Sequence, residues 1–198
     1  MLKKCRFLLL FLITALWGCN SLPMAPLLFI NPMEVDPGVF RLALAGPQYL
    51  RLQKKGAVLQ LHYEVETPNT VMQENVSANL YFEQDPWPQW DGDLQQKMKN
   101  DQLQRVVVYR LKAEDVAQLR QIQTQVRAYK AADGKGKGSL KFQLDSACLE
   151  TNVPAGPLYS QVYVRTDPKQ GFFSLSERFD LRQIPGVAER IDTWPRCQ

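Results

Sequence analysis

Side chains that could support catalysis are few in this sequence. His62 is the single histidine among the 198 residues, and a Ser-His-Asp or Cys-His catalytic set cannot be assembled without one. The alternation of apolar and polar residues around it places His62 on a polar face with Glu64 and Glu66, where we expect a solvated surface side chain. We therefore predict a chain that is not an enzyme and that holds no metal ion or other cofactor.

Two pairs of neighbouring carboxylates offer the other route to catalysis. Asp91 with Asp93, and Glu114 with Asp115, are of the residue type that flanks the scissile bond in glycosidases. Neighbouring acids are also common as solvated loop residues and as helix caps, and we interpret these pairs in that way. A glycan-acting enzyme is kept as an alternative hypothesis.

The segment DPWPQWDG at 85–92 is the most suggestive loop of the chain. Its prolines stiffen the backbone, and aromatic side chains on rigid loops favour contacts with proteins and glycans. Trp87 and Trp90 are therefore candidate partner-contact residues. The alternative is that both tryptophans cover the open end of the domain.

The glycine-rich segment GKGKGS at 134–139 invites comparison with a phosphate-binding loop. It lacks the spacing of that loop, and it is predicted to join two strands, whereas a phosphate-binding loop leads into a helix. We interpret it as a mobile hairpin tip. Its Lys135 and Lys137 are candidates for contact with an anionic surface, either lipid headgroups or a partner protein.

The first 18 residues have the layout of a secretory signal peptide. Lys3, Lys4 and Arg6 precede about a dozen apolar residues, which is fewer than the roughly 20 that span a bilayer. The residues LWGC at 16–19, which end this run, resemble the lipobox of bacterial lipoproteins. The resemblance implies a diacylglycerol on the Cys19 sulfur, cleavage before Cys19 and acylation of the new amino terminus.

The same resemblance implies where the chain is held. Several acyl chains give a lasting membrane anchor, whereas a single chain binds only reversibly. Asn20 stands where an aspartate would signal retention in the inner membrane, so we expect an outer-membrane anchor that faces the periplasm. Residues 19–38 contain four prolines and are predicted to form an extended tether. The apolar residues 27–30 could instead lie against the domain as an edge strand.

Cysteine usage agrees with export into an oxidising compartment. Apart from Cys5 and Cys19, the chain contains only Cys148 and Cys197, and one even pair in an exported protein favours a disulfide. The spacing of metal-binding cysteines and histidines is missing around both residues. We predict a disulfide between Cys148 and Cys197 that connects the C-terminal TWPRCQ to the middle of the domain.

Charge gives no support to nucleic-acid binding. Removal of the signal peptide reduces 24 basic residues to 21, against 20 acidic residues, and a nucleic-acid surface needs a clustered basic excess. The remaining length suits one domain, which we assign to 39–198 with a C-terminal extension.

Alternation with a period of two dominates this domain, as half-buried strands require. Strands are predicted over 40–44, 59–65, 76–82, 106–111, 122–128, 140–144, 159–165 and 173–181. The last two are joined by TDPKQG into a C-terminal hairpin. Strands of this number and polarity favour an all-β, antiparallel sandwich. At most short helices are expected, at 91–104 and as a single turn within 112–120.

The segment 105–145 resembles the last strands of a fibronectin type III or related immunoglobulin-like domain. The residues that follow the order of that family are Leu111, Leu119, Val126, Ala128, Gly134, Gly136 and Ser139. The resemblance implies an immunoglobulin-like β-sandwich. A fold of this kind does not by itself give a function.

These features together predict a non-catalytic lipoprotein that binds or assembles part of an envelope machine, such as a secretion apparatus or a surface appendage. This hypothesis requires an exposed sheet edge or an apolar patch. A glycan or peptidoglycan binder is the first alternative, and it requires Trp87 and Trp90 beside a groove lined by carboxylates. A structural envelope lipoprotein without a specific ligand is the second alternative.

Overall fold

Antiparallel strands make up most of the described chain, as the alternation predicts. The computed structural model describes residues 31–53, 56–66, 74–85, 92–100, 105–132, 135–144 and 146–198. The strands are β1 Arg41–Gly46, β2 Leu50–Leu52, β3 Ala57–Glu66, β4 Glu74–Gln84, β5 Arg105–Leu111, β6 Lys135–Leu144, β7 Ala147–Leu149, β8 Tyr159–Arg165, β9 Phe173–Ser174 and β10 Phe179–Asp180. The helices are α1 Gly92–Asn100, α2 Ala113–Ala131 and α3 Ala188–Ile191, with a 3-10 turn at Leu181–Gln183.

Eight of these strands form one sheet. Its order is β10-β8-β1-β5-β4-β3-β6, with β9 also paired to β8, and β2 and β7 form a separate small sheet. Strand β4 belongs to both halves of the large sheet, because residues 74–81 pair with β3 and residues 82–84 pair with β5. The predicted antiparallel all-β class is confirmed. The immunoglobulin-like sandwich is not confirmed, because β4 joins the two groups of strands into one curled sheet.

Helix α2 is the main departure from the sequence prediction. The strand predicted over 122–128 is wrong, since these residues lie inside a helix of 19 residues. The helix is also much longer than the single turn expected there. Leu119, Ile122 and Val126 are buried, and their spacing puts them on one face of a helix. Because Ile122 and Val126 also fit an alternating strand, the apolar positions alone did not distinguish the two structures.

The two faces of the large sheet are covered by different elements. Side chains alternate along β1, so Leu42 and Leu44 join the main core while Ala43 and Ala45 join a smaller cluster on the opposite face. Helix α2 contributes to the main core. Helix α1 covers the smaller cluster through Leu94, which is fully buried. The first predicted helix is thus confirmed as α1.

The segment before β1 packs against α2. The buried Gln123 side chain donates hydrogen bonds to the main-chain oxygens of Pro32, at 2.8 Å, and Val35, at 2.7 Å. Residues 31–38 form turns, so this end of the predicted tether at 19–38 is part of the folded domain. The rest of the tether lies outside the described residues.

The predicted C-terminal hairpin is present, with a break in its second strand. β9 pairs with β8 at Phe173, and β10 pairs with it at Phe179, so the strand predicted over 173–181 consists of two short pieces. Between them, Ser176 Oγ accepts the main-chain N–H of Val162 at 3.2 Å. A side chain therefore supplies the acceptor where the strand pairing is interrupted.

The predicted disulfide is confirmed. Cys148 in β7 is bonded to Cys197, 49 residues further along the chain. The tail also continues the small sheet, because the N–H of Leu149 donates to Pro195 O at 2.9 Å and the N–H of Cys197 donates to Leu149 O at 3.0 Å. The last residues are therefore fixed to β7 by one covalent bond and two hydrogen bonds.

Candidate functional site

His62 lies on the polar face of β3, as predicted. Its side chain is 44% exposed, and Nε2 is 3.3 Å from Glu64 Oε1. Within the described ranges, no group of three or more His, Cys, Asp or Glu side chains is arranged to bind a metal ion. His62 is therefore an exposed side chain paired with one carboxylate.

Asp115 has a structural role in this fold. Its carboxylate is buried at the start of α2 and accepts the main-chain N–H of Tyr81 at 3.0 Å. Burial raises the pKa of Asp115, and the hydrogen bond from Tyr81 partly opposes this effect. Lys112 also donates its N–H to Tyr81 O at 3.2 Å. Both bonds connect the start of α2 to the residue at which β4 changes partners. Glu114 is exposed, so the second predicted acid pair is not arranged as a catalytic pair.

An open groove of about 520 Å³ lies between the segment before β1 and the loop after β8. Three carboxylates line the groove, and each accepts a hydrogen bond within its own turn: Glu34 from Asn31, Asp36 from Gly38, and Asp167 from Lys169. The pKa of Asp36 is lowered by the Gly38 N–H and then by Arg120. A carboxylate kept ionised in this way is unsuited to act as a general acid. We therefore do not assign Asp36 the role of a general acid.

Strand β6 forms one end of the large sheet. It is ten residues long and pairs with β3 along its whole length. No other strand in the described part of the chain pairs with its opposite side. We call this opposite side the outer edge of β6. Alternate main-chain N–H and C=O groups of an edge strand point away from its neighbour and are available to another strand.

The structure corrects the prediction of a mobile hairpin tip at 134–139. Lys135 and Lys137 lie in β6, opposite Glu66 and Glu64 of β3, and the preceding element is α2. The glycine-rich segment therefore leads from a helix into a strand and does not join two strands. The prediction failed because α2 was not recognised as a helix.

The glycines of β6 make room for a buried tyrosine. Tyr63 of β3 is only 5% exposed, and its ring lies against Gly136 and Gly138. A Cβ at Gly136 would be 2.5 to 2.7 Å from ring atoms of Tyr63, and a Cβ at Gly138 would be 3.0 Å away. Further along β6, Phe142 is buried against Phe82, with ring centroids 6.2 Å apart. The inward side of β6 is therefore packed along its length.

Strand β6 and the end of α2 carry exposed basic side chains. Five exposed basic residues belong to the end of α2 and to β6: Arg127, Lys130, Lys135, Lys137 and Lys141. None of them lies within 4.0 Å of a carboxylate of the described side chains. Lys141 was not singled out from the sequence. The alternation of lysine with small or apolar residues in KGKGSLKF was the signal that could have identified it.

Exposed apolar area is limited elsewhere on the described surface. Tyr159 and Phe173 are the large hydrophobic side chains with substantial exposure among the described residues. The Tyr159 ring is covered in part by Arg178, whose guanidinium lies 4.4 Å from the ring centroid. Two separated side chains do not form an apolar docking patch. The outer edge of β6 is therefore the better candidate for a binding site.

Several predicted site residues lie outside the described residues. These are the lipidation candidate Cys19 and the two aromatic candidates, Trp87 and Trp90. Among the helices that the structure describes, none combines the length and apolarity needed to cross a bilayer. Comparisons with protein-family models, with curated proteins and with solved structures found no match for this chain.

Proposed function

We propose that this chain is an outer-membrane lipoprotein, facing the periplasm, that serves as a non-catalytic binding or assembly component of an envelope machine such as a secretion apparatus or a surface appendage. The observation that carries the binding role is the outer edge of β6. The membrane anchor is supported by the signal-like N-terminus and the LWGC motif that ends at Cys19.

Strand addition is the binding mode that the outer edge of β6 favours. An extended segment of a partner can join a sheet edge through main-chain hydrogen bonds, which supply affinity, while side chains supply specificity. At about 3.4 Å per residue, the ten residues of β6 offer an edge of roughly 34 Å. The strands at the other end of the sheet, β9 and β10, have two residues each. Residues 74–81 of β4 pair with β3 alone and offer a shorter open edge. Among the described strands, β6 therefore offers the longest edge for a partner strand.

The packing behind β6 supports a preformed site. Tyr63 and Phe142 are buried on the inward side of β6, so the strand is held in place before a partner binds. A binding strand that is already ordered avoids part of the entropy cost of association.

Site-specific photocrosslinking in living cells tests the binding role. A benzophenone amino acid replaces Ser139 on β6, and the matched control replaces Ser77 on β4. Both serines are exposed and both lie opposite His62, but Ser77 is two strands away from the outer edge of β6. We expect a discrete crosslinked protein from position 139 and none from position 77. Equal crosslinking from both positions, or none from position 139, would contradict the binding role.

Labelling with palmitate tests the anchor separately. We expect the label on the wild-type protein and its loss in the Cys19→Ala variant, because the resemblance places the acyl chains on this residue. A wild-type protein that carries no label would overturn the lipoprotein assignment and leave the binding role to be judged by crosslinking.

A further inference from the structure

The lysines of β6 lie at alternate positions. Lys135, Lys137 and Lys141, with Ser139 between them, are exposed and share one face of the sheet because successive side chains point to opposite faces. A strand added at the outer edge of β6 would place its own side chains about 4.5 to 5.5 Å from them. The charge of those side chains would therefore affect binding directly.

Among the described side chains, no carboxylate lies within 4.0 Å of these lysines. In the pairing of β3 with β6, Glu66 lies opposite Lys135 and Glu64 lies opposite Lys137, whereas Lys141 lies opposite the neutral Gln60. Arg127 and Lys130, near the end of α2, are exposed as well. An added strand would thus enter a region of positive potential.

The same lysines disfavour pairing between two copies of this chain. In such a pair, lysines of one β6 would lie beside lysines of the other, and like charges opposite each other in a sheet are destabilising. Lysine on an edge strand is a known protection against unspecific edge-to-edge association. An edge that repels a second copy of itself still accepts a strand of opposite charge, because specificity combines repulsion and attraction.

We propose that the segment bound at the outer edge of β6 is an extended, acidic strand of a partner protein, with carboxylates at alternate positions beside Lys137 and Lys141. This inference rests on the proposed function and specifies the chemistry of its partner. Carboxylates of the added strand then form ion pairs with the lysine ammonium groups of β6. The main chains of the two strands are joined by the hydrogen bonds of a β-sheet.

The experiment retains the benzophenone at Ser139 and changes the two flanking lysines. Charge reversal by Lys137→Glu with Lys141→Glu should lower the crosslinking yield roughly tenfold, since two attractive cross-strand pairs become repulsive. Neutralisation by Lys137→Gln with Lys141→Gln should give an intermediate yield. Lys99→Glu on α1 is the control, because Lys99 is exposed and lies on another element. The control should leave the yield unchanged, and thermal unfolding should show that each variant remains folded.

Mass spectrometry of the crosslinked product identifies the bound segment. We expect a peptide with aspartate or glutamate at alternate positions. A neutral or basic peptide, or a yield that does not respond to charge reversal, would overturn the acidic strand. In both cases a crosslinked protein is still recovered from position 139, whereas failure of the proposed function would abolish it in the wild-type background. A phospholipid adduct in place of a protein would be a failure of that second kind.

Discussion

Removal of the disulfide should lower the stability of the domain by a calculable amount. The bond between Cys148 and Cys197 closes a loop with a sequence separation of 49 residues. A loop of that size restricts the unfolded chain enough to stabilise the folded state by about 4 kcal/mol in the chain-entropy model. For a domain of this size, each kcal/mol corresponds to roughly 2–4 °C in Tm. The Cys197→Ser variant should therefore unfold about 8–16 °C below the wild type.

Urea denaturation followed by tryptophan fluorescence measures this difference as a free energy of unfolding. Wild-type protein treated with dithiothreitol should match Cys197→Ser, and the reductant should have no further effect on the variant. The linear extrapolation must be made separately for each form, because the unfolded state without the bond exposes more surface. A loss below about 1 kcal/mol would refute the argument that the bond restricts a long unfolded loop.

Further substitutions test the packing around β6 and α2. Gly136→Ala should lower the free energy of unfolding by about 1–3 kcal/mol, because its Cβ would overlap Tyr63. The loss should shrink when Tyr63 is replaced by leucine, and Gly138→Ala should cost less because its Cβ contact is longer. Asp115→Ala should cost about 1–3 kcal/mol through the lost acceptor for the Tyr81 N–H. Burial raises the pKa of Asp115 in the folded protein above its value in the unfolded chain. The protonated carboxyl therefore contributes its full stabilisation at pH values below the pKa of the unfolded chain, and this stabilisation is lost as the pH rises through the pKa of the folded protein. The wild type should therefore lose stability relative to Asp115→Asn as the pH rises above the ordinary aspartate pKa of 3.8, and a constant difference in urea midpoints would contradict this.

Local alternation was sufficient to predict most strands and the side chains that face solvent. In the segment 59–65 it predicted both β3 and the exposed position of His62, because a half-buried strand imposes a period of two on its own residues. The disulfide was predictable from a count, since only Cys148 and Cys197 remain once Cys5 and Cys19 are assigned to the predicted signal peptide and anchor.

Helix α2 was missed because the spacing of its buried residues fits both the period of two of a strand and the period of about 3.6 of a helix. Ile122 and Val126 fit both an alternating strand and one face of a helix, and the contacts that decide between them are distant in sequence. The Gln123 side chain donates hydrogen bonds to the main-chain oxygens of Pro32 and Val35. The Asp115 carboxylate accepts a hydrogen bond from the main-chain N–H of Tyr81. No local pattern contains these partners.

The outer edge of β6 could not be predicted for a related reason. The sequence displays the lysines of 135–141, but the position of a strand within a sheet depends on the order of all the other strands. β6 follows α2 in the chain and pairs with β3, which lies far earlier. The candidate residues were therefore available from the sequence, whereas their place on a sheet edge required the structure.

Amide hydrogen exchange of β6 tests the central claim most directly. In the isolated protein, alternate amides of β6 should exchange rapidly because they point away from β3, while the amides of β3, which is paired on both sides, should be protected. In the complex recovered by crosslinking at Ser139, the rapid amides of β6 should become protected by the added strand. Rapid exchange that persists in the complex, or full protection of β6 in the isolated protein, would contradict the claim that a partner strand binds at the outer edge of β6.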